Sequence, residues 1–251
     1  MCSSTQRVTA AVLLIGNEIL SGRTQDANLA HLAKTLNGYG IQVREARTVP
    51  DIEDEIIAAL DALRTRYDYV FTTGGIGPTH DDITADCVAK AFGVPLVENE
   101  EIARMLRKRE APPDIMAMRL RMARIPEGGD LIRNEFGPPG FYIGNVYVMA
   151  GIPRVMQSML ASLDGELRRG ETLVSLGINA YVPESHVARP LGELQARYPH
   201  VDLGSYPFYR DDVYGTTLII RGSDGPDLRA MYDELWQLVE QLGGQPKEEP
   251  V

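Results

Sequence analysis

Cysteine is scarce in this chain. Cys2 and Cys87 are the two present in 251 residues, which excludes a disulfide framework and makes a reducing cytoplasm the default location. Histidine is nearly as rare, with four, and no Cys/His spacing suits a zinc cage. No apolar run reaches about 18 residues, so no membrane span is expected. The stretch from Met1 to Arg7 is polar and lacks the apolar core of a secretory leader. Positive charge is in deficit. There are 25 Lys and Arg against 35 Asp and Glu, a net charge of −10, which argues against the basic footprint that nucleic-acid binding needs. No internal repeat and no low-complexity tract occurs. What is there is a 44% hydrophobic composition, enough for real cores. The length allows one large domain, or one of about 150–170 residues with a smaller companion.

Val8 to Ile15 is a nearly continuous apolar run and reads as a strand buried on both faces. A glycine turn follows, Gly16-Asn17-Glu18-Ile19-Leu20-Ser21-Gly22. Asp26 is placed to cap a helix carrying Leu29, Leu32, Ala33 and Leu36, which Asn37-Gly38 and Gly40 stop. Ile41 to Val49 is a second strand. A second helix carries Ile52, Ile56, Leu60 and Leu63 on one face, and Tyr67 to Phe71 is a third strand. This alternation predicts an α/β layer fold with a largely parallel sheet. Further on, Glu98 to Glu110 reads as a polar helix, Ile115 to Met122 as another, Ile125 to Phe136 as a strand pair around Glu127-Gly128-Gly129-Asp130, and Val146 to Met149 as a short strand before a helix over Val155 to Leu167. A boundary is expected near Arg169-Gly170, giving domains 1–170 and 171–251. The second part reads β-α-β-β-α, a two-layer α+β domain of about 75 residues, with a polar tail after Gly243 expected to be disordered.

The chemistry concentrates in Thr72-Thr73-Gly74-Gly75-Ile76-Gly77-Pro78-Thr79-His80-Asp81-Asp82-Ile83-Thr84. Strand, glycine turn, helix is a geometry that holds a phosphate, because bare backbone amides and a helix start face the anion. Asp81 and Asp82 would repel that phosphate unless a divalent metal intervenes. One of the pair is also placed to cap the following helix. His80 is a weaker candidate base. A third turn, Ala150-Gly151-Ile152-Pro153, falls at the same sheet edge. Arg104, Arg107, Lys108, Arg109, Arg119, Arg121 and Arg124 form the one basic region. Solvated helix faces account for such a run, with phosphate contact the alternative. Cys87 reads as a core residue.

These motifs resemble the MoaB/Mog (molybdopterin-binding) domain family. The match lies in Gly16 to Gly22, in Gly22-Arg23-Thr24-Gln25-Asp26-Ala27-Asn28, in Gly74 to Thr84 and in Asn145 to Pro153. Within that family the chain is similar to the amino-terminal part of CinA competence/damage-inducible proteins and to the molybdopterin-binding-like domain of eukaryotic FAD synthases. The resemblance spans Val8 to Leu167 and implies a three-layer αβα domain. The part after 170 is similar to the small KH-like domain of CinA proteins, without a Gly-x-x-Gly loop, so RNA binding is not implied. Two features depart from the pattern. Ala150 stands where the family usually has proline. The chain also ends before the deamidase domain of CinA proteins or the nucleotidyl-transferring domain of FAD synthases could fit, so neither activity is expected.

The resemblance implies one of two activities: molybdopterin binding or adenylation, or metal-dependent hydrolysis of a nucleotide pyrophosphate such as ADP-ribose or FAD. For the second, Gly16, Gly74, Gly75, Gly77, Gly151 and Pro153 would cradle the substrate. Asp81, Asp82 and Glu18 would hold Mg, Co or Mn and serve catalysis. Asn17 and Asn28 would orient phosphate or water, and Thr73, Thr79 and Thr84 would offer hydroxyls. The partner is a small phosphate ester, nucleotide or pterin, and the family implies a homo-oligomer, dimer or trimer.

Overall fold

The structure, a computed structural model, describes residues 7–210 and 212–250. Cys2 and Asp211 therefore lie outside the described residues. The chain divides after Gly170 into two compact units.

In the first unit, strand β1 (Val8–Ile15) is the axis of a six-stranded sheet. Its neighbours are β2 (Ile41–Val49) and β3 (Tyr69–Thr73), both parallel to it. β3 pairs in parallel with β8 (Val146–Met149). Two antiparallel strands, β7 (Gly140–Ile143) and β6 (Asp130–Ile132), complete the sheet beyond β8. The unbroken apolar run of β1 has a simple cause, since both of its faces are covered. Ala11, Leu13 and Ile15 enter one core with Ile56, Leu60 and Leu63 of α3 (Glu53–Arg64) and Cys87 and Val88 of α4 (Thr84–Phe92). Val8, Ala10, Val12 and Leu14 enter the opposite core with Leu32 and Leu36 of α2 (Asn28–Gly38) and Met156, Met159 and Leu160 of α7 (Pro153–Ser162). This is a three-layer α/β unit with a mostly parallel sheet.

The strand order β2-β1-β3-β8 has a functional consequence. The chain leaves β1 to one side to form β2 and returns on the other side as β3. The carboxyl ends of β1 and β3 therefore flank a topological switch point, where open α/β sheets bind ligands.

Three local expectations for this unit need correction. Ile125 to Phe136 is not a hairpin. β5 (Arg124–Pro126) pairs with β4 (Leu96–Glu98) in a separate small sheet, whereas β6 joins the main one. Ile125 and Ile132 are buried in cores on opposite sides of the sheet, so they cannot share one hairpin face. The polar helix is shorter than Glu98 to Glu110: α5 covers Glu100–Arg107 and starts where the Asn99 side chain accepts from the amides of Glu101 and Ile102. Strand β7 has no counterpart among the expected elements.

The second unit is an antiparallel sheet in the order β10-β11-β9-β12 with two helices. Its elements are β9 (Leu173–Ala180), α8 (Glu184–Arg197), β10 (Asp202–Arg210), β11 (Val213–Ser223), α9 (Pro226–Gln241) and β12 (Lys247–Glu249). One core, including Ile178, Leu191, Leu218, Met231 and Leu235, joins sheet and helices. The tail after Gly243, expected to be disordered, forms β12 against β9 instead. Its side chains are charged, but the open edge of β9 needs only backbone groups to pair, and Asn179 donates to Glu249 across the pair.

Candidate functional site

Three turns meet at the carboxyl edge of the parallel strands and hold one another. After β1, the amide of Gly16 donates to the carbonyl of Val49, 3.2 Å. After β3, the amide of Gly74 donates to the carbonyl of Met149, 3.2 Å. Gly74 has φ 103, and a Cβ there would stand 2.1 Å from the carbonyl oxygen of Ile15. Only glycine fits so close an approach in that conformation. The turn is fastened to α4 by Thr84, whose amide donates to the Gly75 carbonyl (3.0 Å) and whose hydroxyl donates to the Gly74 carbonyl (3.0 Å). After β8, Gly151 packs 3.4 Å from the Gly74 Cα, measured from where its own Cβ would be. Its carbonyl accepts from the Asn28 side-chain amide, 2.8 Å.

Above these turns lies a cleft of about 650 Å³. One part of its lining is charged: Glu18, Asp82, Asp86, Arg121 and Arg124. Another part is apolar, with Ile76, Phe136, Pro138, Pro139, Phe141 and Ile152. Phe136 is 45% exposed and Ile152 66% exposed. The Arg154 guanidinium sits 4.0 Å above the Phe136 ring, a cation–π contact that steadies a flat apolar shelf. Anion-binding turns beside charged walls and an apolar shelf suit a ligand with phosphate at one end and a planar ring at the other.

The expected residues fall into three groups. Glu18, Gly74, Gly75, Gly77, Asp82, Gly151 and Pro153 line the cleft. Gly16, Asn28, Thr73 and Thr84 are buried beneath it. Thr84 spends its hydroxyl on Gly74, and Asn28, 5% exposed, spends its amide on Gly151. Both brace the turns from inside, and the Asn28 carbonyl oxygen is buried without a partner among the described residues. Asn17, Thr79, His80 and Asp81 are exposed and outside the lining. The backbone amide of Asn17 donates to Asp51, 2.8 Å.

Asp82 does not cap α4, whose start carries no side-chain cap. Its carboxylate instead accepts from the amide (2.8 Å) and hydroxyl (2.5 Å) of Thr79. Thr79 thereby holds Asp82 in place. Gly77 leaves room for it, since a Cβ there would fall 2.6 Å from the Asp82 carboxylate. The Asp81 carboxyl is held below the usual carboxylate range, first by its nearness to the Thr79 side chain, then by its own backbone amide, with His80 and Arg121 adding smaller attractions. Burial pushes the Cys87 thiol up to about 12, so it is an inert core group.

Glu18, Asp81 and Asp82 are not assembled into a metal cage. Among the described residues no group of three His, Cys, Asp or Glu side chains is close enough to hold an ion. The carboxylates of Glu18 and Asp82 in the cleft lining are hard oxygen donors, the type that divalent cations such as magnesium take.

A family model described as "Probable molybdopterin binding domain" matches residues 11–168, more than half of the 251-residue chain. The chain belongs to that family. The molybdopterin-binding-like (MoaB/Mog) domain thus accounts for the whole glycine-turn edge. A second model, "FAD synthase, middle domain", matches residues 172–245. A protein of Archaeoglobus fulgidus is 33% identical over 198 residues, covering 78% of this chain and 84% of that protein. A CinA-like protein of Desulfosudis oleivorans is 38% identical over 175 residues, covering 65% of this chain and 41% of its own length. The chain thus spans less than half of that CinA-like relative. The crystal structure of a CinA protein of unknown function from Thermoplasma acidophilum superposes with a TM-score of 0.58 at 34% identity, covering 65% of this chain and 99% of that one.

Arg121, Arg124 and the Phe136 shelf were not singled out by the motifs. The arginines sit in a basic run that reads first as solvated helix faces, with phosphate contact the alternative, and Phe136 at the end of the expected strand pair. Their one signal is position on the segments that fold back over the turn.

Proposed function

We propose that this molybdopterin-binding-like protein is a metal-dependent nucleotide pyrophosphatase acting on an ADP-containing anhydride, ADP-ribose or FAD. The supporting observation is that the Gly74–Gly77 turn lines one cleft with the carboxylates of Glu18 and Asp82, the third carboxylate there, Asp86, being paired with Arg124. Backbone amides favour phosphate and carboxylates reject it, so the two make sense together when a divalent cation arrives with the substrate. Such an ion polarises a phosphoryl oxygen and lowers the pKa of a bound water. The Gly75 and Gly77 amides neutralise charge growing on the anhydride oxygens, while the Gly74 amide stays on the Met149 carbonyl and fixes the turn. Asp82, pinned by Thr79, holds its carboxylate toward the phosphates and accepts the hydrogen bonds of bound water. The apolar shelf of Phe136, Pro138 and Ile152 stacks the base and excludes water from that end.

A second reading is pterin binding or adenylation without hydrolysis. The family description favours it, and the same shelf suits a pterin ring. Incubation with ADP-ribose or FAD and Mg²⁺, Co²⁺ or Mn²⁺ separates the two. The proposal expects AMP to appear and EDTA to stop it. Tight binding of molybdopterin with no AMP from either nucleotide supports the second reading and defeats the first. A dimer or trimer in solution is the assembly we expect for either.

A further inference from the structure

Arg121 stands apart from its charged neighbours. It opens a 3-10 turn, Arg121–Ala123, that follows α6 (Pro113–Leu120). It is half-buried and lines both the cleft and a second cavity of about 520 Å³. The other charges lining the second cavity are paired: Arg124 with Asp86 at 3.2 Å, Lys90 with Glu53 at 2.5 Å, and Glu98 with Arg107 at 2.8 Å. Among the described residues Arg121 makes no ion pair. Its one hydrogen bond among the described residues is long, from Nη2 to the backbone carbonyl of Asp82, 3.4 Å. That contact places the guanidinium beside the phosphate turn.

Asp81 attracts this guanidinium without reaching salt-bridge contact, so the half-buried charge is incompletely compensated, and an anion seated on it relieves that cost. Its planar fork matches two oxygens of one phosphate, or oxygens of two neighbouring phosphates. We propose that Arg121 anchors the diphosphate of the ligand at the seam between the two cavities. The amides of Gly75 and Gly77 hold the anion from the sheet edge, and Arg121 holds it from the opposite, helical segment. This rests on the cleft being a phosphate site, and not on its hydrolysing anything.

Calorimetric titration of the full chain with ADP and with adenosine, each in Mg²⁺, tests the anchor. Arg121→Gln is expected to weaken ADP binding by about 10- to 100-fold, the range for a lost charge-assisted hydrogen bond, and to leave adenosine binding and the melting temperature unchanged. Arg121→Lys restores part of the loss. Arg104→Gln, which removes the same charge from an exposed position outside both cavities, changes ADP affinity less than about twofold. ADP binding that survives Arg121→Gln, or falls equally with Arg104→Gln, overturns the anchor while leaving the phosphate site standing. Failure of the unsubstituted chain to bind ADP defeats the phosphate site and the anchor together. Absence of hydrolysis with ADP still bound through Arg121 defeats only the enzymatic reading.

Discussion

Gly74→Ala is expected to lower the stability of the first unit by about 3–5 kcal/mol, from a strained backbone and a forced contact acting together. The φ of 103 is a conformation that alanine rarely adopts. The added Cβ would also meet the Ile15 carbonyl at 2.1 Å, and that oxygen is backbone at the end of the central strand. It cannot swing aside as a side chain would. Gly75→Ala should cost less, because its Cβ meets the Thr84 hydroxyl, which can rotate at the expense of its bond to Gly74. Gly38→Ala, in α2 with nothing within 4 Å, is the control and should be neutral or slightly stabilising. For a unit of this size the Gly74 effect is a melting-point drop of about 10 °C, read by thermal unfolding. An unchanged melting point would mean that the three turns are not packed as described. The glycines are thus required by the fold before any ligand arrives, so lost activity at Gly74 is no evidence of contact with substrate.

Asp82→Asn, by contrast, should leave the fold intact and remove turnover. The amide keeps an oxygen to accept from Thr79, so the turn keeps its bonds, and only the negative charge in the cleft is lost. A drop in kcat of about 10²- to 10³-fold is expected, the usual scale for removing one group that stabilises developing charge. Asp81→Asn should cost less than about fivefold, since Asp81 is exposed and outside the cleft lining. AMP release from ADP-ribose under Mg²⁺, measured beside melting temperature, reads both. Equal losses at the two positions would contradict their separation into a cleft carboxylate and a surface one. A dominant loss at Asp81 would reverse their roles.

Much of this arrangement is legible in the residues. The apolar runs at Val8–Ile15 and Val146–Met149 read as buried strands, because parallel strands covered on both faces need no alternation. The glycine turns after these strands and after Tyr69–Thr73 are visible for the same reason that they matter: no other residue allows the approach at Gly74. The edges of the structure were less legible. Strand β12 is Lys-Glu-Glu, and it forms through backbone pairing with β9, a partner that its own side chains do not announce. Thr84 and Asn28 read as ligand groups, because a polar residue in a glycine motif looks the same whether it faces the ligand or braces the turn. Burial alone separates the two. Arg121 lies 39 positions from Asp82 in the chain, and only the path of α6 back over the cleft brings them together.

The central claim is that the Gly74–Gly77 turn, with Gly151, receives the phosphates. Backbone amide NMR of the full chain titrated with ADP tests it most directly. The account predicts that the largest shifts fall on the amides of Gly74, Gly75, Gly77 and Gly151, with Glu18 and Asp82 next. Saturable binding whose shifts leave those amides unmoved and gather elsewhere, in the second unit for example, would contradict it.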